Sequence, residues 1–355
     1  MSDYKVFRTN NLWNLAERDN PTTATDLKVV SASEDLVLVE IPRYGASTAK
    51  LTGSFSFNGS SPEFSDIQGL VYNRKVYING VMHEERSYSD GADIRSMFDH
   101  SVGLTLLSGD DLFEGSPDFD RDDGVQGLSG NDRFKGNGDV NGDYFFGGDG
   151  VDTAVYRGKF SEYAIAADNA IQDSRLGSEA KVSGLSVVDS VIGRDGKDYL
   201  NEVERFQFSD KSLAFDVGAL ENAGKAKLFT GAIAHSMIHD SATLGTFLYF
   251  IDNGYAELTA LSQLAIDAGL ISTLAGGSSN EALVSVVTKN LLGQANFIVE
   301  AMLLTYMNGT VASLSQAQFL GAVAALEVNQ QRVDLVGLAE TGMEYVSFDS
   351  LVYAA

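Results

Sequence analysis

Hydrophobic and polar positions fall into three patterns along the chain. Between residues 27 and 83 short apolar runs, at 36–41, 53–57, 69–72 and 76–79, are separated by turn residues. In GSFSFNG (53–59) and KVYING (75–80) the alternation has a period of two, which predicts half-buried antiparallel strands. Asn58-Gly59 and Asn79-Gly80 are the dipeptides that tight hairpins favour. These runs predict a small N-terminal antiparallel β-domain, 1–105. From about 213 to 346 the spacing becomes i, i+3, i+4 in a proline-free stretch rich in Ala and Leu. Helices are predicted near 225–238, 242–251, 257–268, 281–292, 295–307, 315–327 and 332–345, with Asn253-Gly254 and Asn308-Gly309 as stops. FLYFIDNG (247–254) aligns with MLLTYMNG (302–309), and Leu-Ser-Gln follows each, starting at Leu261 and Leu314. An all-α bundle with an internal duplication is therefore predicted over 213–355.

The third pattern lies between them. An aspartate recurs at Asp111, Asp120, Asp132, Asp143 and Asp152, in steps of 9, 12, 11 and 9 residues. Two places after each, the chain offers Phe113, Phe134, Phe145 and Ala154, and breaks the pattern only at Asp122. Gly109, Gly130 and Gly150 stand two places before Asp111, Asp132 and Asp152, where positive φ is expected. The run Gly147-Gly148-Asp149-Gly150-Val151-Asp152 has the form G-G-x-G-x-D, the nonapeptide turn of a Ca²⁺-binding parallel β-roll. In these residues the chain resembles the RTX (repeats-in-toxin, haemolysin-type) calcium-binding proteins.

That resemblance implies a short parallel β-roll over 106–158, whose glycines bend each loop so that carbonyls point inward. The carboxylates of Asp111, Asp132 and Asp152, and of Asp120 and Asp143, would complete an all-oxygen shell suited to Ca²⁺. Gly109, Gly130, Gly147, Gly150 and Asp149 belong to the same loops. Loops on one edge of such a roll are two turns apart, so ions are expected between Asp111 and Asp132 and between Asp132 and Asp152, with Asp120 and Asp143 a weaker pair. The competing reading is an acidic, Gly-rich linker, which would not carry spaced aromatics.

Two further stretches extend the resemblance. DTAVYRGKFSEYAI and GRDGKDYLNEVERFQFSD (193–210) resemble the strand-rich module that closes RTX arrays, here 159–212, with Val203, Phe206 and Phe208 inward. Asp195 and Asp198 fit either another ion loop or a plain β-turn. The helical region resembles the uncharacterised domain that follows RTX arrays in secreted and S-layer-associated bacterial proteins. It departs from that pattern at His239-Asp240 and Leu248-Tyr249, where the family carries Arg-x-Pro-Asp and Tyr-Trp. The ending SFDSLVYAA resembles an uncleaved type I secretion signal. The N-terminal β-domain is expected to cap the first turn of the roll, since an unpaired edge invites aggregation.

Charge sharpens this picture. The 355-residue chain has a net charge of −24, and twelve acids face only Arg121, Arg133 and Lys135 between 110 and 152. Without cations that segment repels itself. Such acidity argues against nucleic acid and anionic membrane as partners. The chain has no cysteine, hence neither disulfides nor thiolate sites. Residues 1–20 lack the apolar core of a cleavable signal, and no run of about 18 apolar residues could span a bilayer.

The search for catalytic chemistry is less productive. His235 and His239, i and i+4 on a predicted helix with Asp240 beside them, offer two zinc ligands on one face or a packing pair. His83-Glu84-Glu85 and Asp99-His100 have no nucleophile near them in sequence. Nucleophile-elbow, phosphate-loop and dinucleotide motifs are absent. The expected protein is thus a secreted, non-enzymatic, Ca²⁺-dependent surface, matrix or adhesive protein. It would leave through a type I secretion apparatus and act as a homo-oligomer or lattice, or bind a cell-surface glycan. The alternative is a polysaccharide-acting enzyme or its glycan-binding accessory module.

Overall fold

The computed structural model describes residues 2–6, 28–41, 47–57, 67–78, 81–93, 109–114, 124–136, 143–172, 181–309 and 313–348. Antiparallel and mixed sheets combine with nine α-helices among these residues, so the protein is mixed β and α. It divides into two units, Met1–Asp210 and Lys211–Ala355.

In the first unit, β1 (Ser2–Val6), β2 (Lys28–Ala32), β3 (Leu36–Ile41), β4 (Ser47–Ser56), β5 (Gln68–Ile78) and β6 (Val81–Asp93) form the N-terminal sheet. It runs β2-β3-β4-β5-β6-β1, antiparallel throughout. Alternation places Val37, Val39, Ala49, Leu51, Phe55 and Val71 in its core. The runs at 69–72 and 76–79 are one strand rather than two, because Asn73 and Arg74 stay in register with Thr52 and Leu51 of β4. Tyr72 is skipped in both flanking ladders, a bulge that leaves its ring 44% exposed. Ile78 faces Val81 across the β5–β6 ladder, and the turn expected at Asn79-Gly80 between them lies outside the described residues. The turn expected at Asn58-Gly59 lies outside the described residues.

The chain then alternates between two parallel ladders. One contains β7 (Asp111–Glu114), β9 (Arg133–Lys135), β11 (Thr153–Val155) and β15 (Arg205–Gln207). The other contains β8 (Gly124–Ser129), β10 (Tyr144–Asp149) and β14 (Lys197–Asn201). Phe113, Phe134, Ala154 and Phe206 pair in register down the first ladder, and all four are buried. The rings of Phe113 and Phe134 stack at 5.2 Å, and Phe145 closes on Phe134 at 5.1 Å. Each such ring stabilises the fold by about 1.5–3 kcal/mol through burial. At the start of this ladder β1 pairs in parallel with β7, covering its edge as the capping role requires.

After β11 the chain makes an antiparallel excursion, β12 (Tyr163–Gln172) and β13 (Lys181–Asp189), before returning as β14 and β15. Val203, Phe206 and Phe208 are buried there. Asp195 sits in the turn before β14. It accepts from the Arg157 backbone N–H at 2.8 Å and from its Nε at 2.5 Å, and Tyr163 Oη also donates to it.

The second unit contains α1 (Asn222–Ala234), α2 (Ser241–Asp252), α3 (Leu258–Asp267), α4 (Leu270–Ala275), α5 (Asn280–Leu292), α6 (Phe297–Asn308), α7 (Gln316–Ala324), α8 (Glu327–Val333) and α9 (Leu335–Thr341). Helix α1 is buried on every side, and α2, α5, α7 and α8 pack around it. Asp240, Ser279, Asn296 and Ser315 cap α2, α5, α6 and α7 by accepting first-turn N–H groups.

Four sequence expectations need correction: first, the helix expected at 315–327 ends at Ala324, and α8 bridges the gap expected before 332. The helix expected at 225–238 ends at Ala234, followed by a 3₁₀ turn His235–Met237. The helix expected at 332–345 is broken by Asp334 at φ 54° and Gly342 at φ 72°. Met343–Tyr345 (β17) then pairs antiparallel with Ser212–Ala214 (β16), so the unit is not purely helical. Helix α4 lies between two left-handed glycines, Gly269 and Gly276, and is too short to show a period.

Candidate metal centre

The turns that lead into β7, β9 and β11 stack on one edge of the parallel ladders. Backbone N–H of Asp111 donates to Asp132 Oδ1 at 2.8 Å, and that of Asp132 donates to Asp152 Oδ1 at 2.8 Å. The row continues where Asp152 N–H donates to Glu204 Oε2 at 2.8 Å. Each carboxylate therefore reaches back to the preceding loop on the same edge. A second row runs alongside, with Asn131 N–H on Asp110 Oδ1 and Val151 N–H on Asn131 Oδ1, both at 2.8 Å.

Two kinds of glycine make this stacking possible. Gly130 and Gly150 hold φ of 119° and 144°, as expected, whereas Gly109 does not take positive φ. At the matching place before Glu204 the chain has Glu202, at φ 53°. Gly127 and Gly147 serve through lack of volume. A Cβ on Gly127 would lie 1.9 Å from Asp132 Oδ2 and 2.5 Å from the Gly147 carbonyl oxygen. One on Gly147 would lie 1.9 Å from the Glu202 carbonyl oxygen and 2.3 Å from Asp152 Oδ2.

Asp132 and Asp152 are fully buried, and the second oxygen of each has no hydrogen-bond partner among the described residues. Burial pushes the Asp132 carboxyl up to about 7, against the N–H bond from Asp111 and helped by the charges of Asp111 and Asp110. Burial likewise pushes Asp152 up to about 8, helped by Glu204, Asp132 and Glu202. Two half-satisfied carboxylates in a dry, acidic edge suit a hard cation, which supplies charge and accepts the bare oxygens.

On the opposite edge Asp143 is buried; its N–H faces Asp198 Oδ1 at 3.4 Å, and Gly136 makes room for Asp143 Oδ2. Asp149 points its side chain to solvent, while its carbonyl accepts from Gly130 N–H. Asp120 lies outside the described residues, as does Asp99-His100. Among the described residues no three His, Asp or Glu side chains converge on one point. The acids of the row stand singly, linked by the backbone N–H of the preceding one.

Sequence reasoning missed Gly127 and Glu204, and it named Asp198 without placing it beside Asp143. Gly127 was findable, since it stands five residues before Asp132 as Gly147 stands before Asp152. Asp198 and Glu204 come from a distant return strand that no nine-residue spacing reaches.

The His235/His239 pair loses its helical premise with the end of α1. Among the described residues His235 Nδ1 is buried without a hydrogen bond, and burial, then Arg332, His239 and Lys227, hold its pKa below the ordinary value. His239 is exposed. No described helix is long and apolar enough to cross a membrane. No family model, curated protein or solved structure matches this chain.

Proposed function

We propose that residues 109–152 and the return strands 197–207 form an RTX-type β-roll that takes up Ca²⁺ between Asp111 and Asp132 and between Asp132 and Asp152. The observation that carries this reading is the row of buried aspartates in which Asp132 and Asp152 each keep one unbonded oxygen. A buried carboxylate left in that state is strongly destabilising unless its charge is met. Ca²⁺ meets it, and binding only the folded form adds RT ln(1 + [L]/Kd), about 2.7 kcal/mol per site when the ion is a hundredfold above Kd.

The biological role follows from this coupling. In Ca²⁺-poor cytosol the acidic segment stays open and passes through a type I channel. Outside, millimolar Ca²⁺ folds it, so the protein serves as a secreted, non-enzymatic surface or matrix component. A circular-dichroism titration of the full chain tests the reading: Ca²⁺ should add β signal with saturation, and Mg²⁺ at equal concentration should add much less. An unchanged spectrum would sink it.

A further inference from the structure

The space opened by a glycine recurs along the aspartate row. A Cβ on Gly127 would lie 1.9 Å from Asp132 Oδ2 and 2.5 Å from the carbonyl oxygen of Gly147, so a carboxylate oxygen of one loop faces a main-chain oxygen of the next. One step on, a Cβ on Gly147 would lie 2.3 Å from Asp152 Oδ2 and 1.9 Å from the Glu202 carbonyl oxygen. Strand register explains the match. β10 pairs in parallel with β8 on one side and β14 on the other, with Phe146 opposite both Gln126 and Asn201, which sets Gly127, Gly147 and Glu202 at equivalent places. The first of these spaces belongs to the ion expected between Asp132 and Asp152. No nonapeptide spacing points to the second, because Glu202 lies beyond the β12–β13 excursion.

We infer that the cation row has one more member, a Ca²⁺ site in which Asp152 Oδ2 and the Glu202 carbonyl oxygen are ligands and Glu204 holds the loop in place. The inference rests on the Ca²⁺ reading of the row and adds a site to it. Its mark is the Asp152 carboxylate, 0% exposed, whose Oδ2 has no hydrogen-bond partner among the described residues and is turned toward an oxygen instead of a donor. Two oxygens bordering one dry space repel unless a cation stands between them. Ca²⁺ takes carboxylate and carbonyl oxygens together in a shell of variable geometry, whereas Mg²⁺ demands a near-ideal octahedron.

The return loop reaches this position by its own chemistry. Val203 alone separates Glu202 from Glu204, where Gly148 to Val151 separate Gly147 from Asp152. The shorter loop carries a longer acid, and Glu204 Oε2 accepts from Asp152 N–H at 2.8 Å, the same distance as at Asp132 Oδ1 and Asp152 Oδ1. Glu202 and Glu204 also bring negative charge to bear on Asp152, which strengthens the demand for a counter-ion there. An ion at this place joins the array to strands that arrive only after β12 and β13, so uptake of the last ion and closure of the ladders by β14 and β15 are one event.

Hydrogen–deuterium exchange of the full chain, with chelator and with millimolar Ca²⁺, tests it, alongside equilibrium dialysis to count bound Ca²⁺. In the wild-type chain Ca²⁺ should slow amide exchange at both 127–135 and 199–207, by about tenfold or more. Glu202→Gln combined with Glu204→Gln keeps the main-chain carbonyl and an acceptor for Asp152 N–H, and removes only charge. That variant should bind one Ca²⁺ fewer, keep the slowing at 127–135 and lose most of it at 199–207. Glu257→Gln with Glu340→Gln makes the same charge change at exposed places in the helical unit and should behave as wild type. Wild-type slowing at 127–135 without slowing at 199–207, or a Glu202/Glu204 variant that matches wild type in ion count or in exchange at 199–207, would overturn this site and leave the rest of the row standing. Slowing at neither stretch would overturn the Ca²⁺ reading itself, and this site with it.

Discussion

At Asp132 and Asp152 the fold buries a carboxylate whose second oxygen has no hydrogen-bond partner among the described residues. Their pKa values, about 7 and about 8 against 3.8 for the free group, mean that the folded, cation-free state keeps protons the unfolded chain has lost. The sign follows. In chelator, stability is full below about pH 4 and falls as pH rises through about 7–8. On the proposed reading Ca²⁺ should flatten that fall, because the ion would take the place of the protons. Asp132→Asn and Asp152→Asn separate charge from shape. In chelator near pH 8 each should melt at or above wild type, yet each should lose most of the Ca²⁺-dependent gain. Asp149→Asn, at an exposed side chain, should keep that gain. Thermal melts in the two buffers check all three, and a wild-type slope of opposite sign would contradict the account.

At the scale of elements, period was a sufficient guide wherever one face is buried. Val37, Val39, Ala49 and Leu51 alternate in sequence and are buried in the sheet, and helices α2, α3 and α5 begin and end close to where their apolar spacing does. The aspartate spacing was likewise legible, and the structure puts Asp111, Asp132 and Asp152 in one row. What period could not convey were backbone reversals fixed by single residues. Asp334 takes left-handed φ, accepts from Gly337 N–H and starts a new helix inside an unbroken apolar pattern. Replacing it with Ala removes the cap and leaves a Cβ residue in left-handed backbone, so urea unfolding of the helical signal should show a loss of about 1–2 kcal/mol. No measurable loss would mean the break does not depend on that residue. Gly147 is the corresponding case in the ladders. In sequence it was one glycine of the G-G-x-G-x-D loop, whereas the structure shows close approach to Glu202 O and Asp152 Oδ2. Gly147→Ala should therefore cost about 1–3 kcal/mol and blunt the response to Ca²⁺, read in the same denaturant titration with and without the ion.

For the whole molecule, the two units differ in what holds them. The helical unit closes on an apolar core around α1 and has capped helices. The β unit joins an apolar sheet to a ladder whose edge is lined by buried acids, and its last turn is supplied by residues 197–207 from beyond the array. That return was unreadable as part of the array because its ladder acid is Glu204 and its turn residue is Glu202, not the aspartate and glycine of the motif. Differential scanning calorimetry of the full chain, with chelator and with millimolar Ca²⁺, tests the central claim most directly. The account predicts that Ca²⁺ raises the transition of the β unit, leaves that of the helical unit in place, and loses its effect in Asp132→Ala. A thermogram indifferent to Ca²⁺, or an Asp132→Ala protein that responds as wild type does, would contradict it.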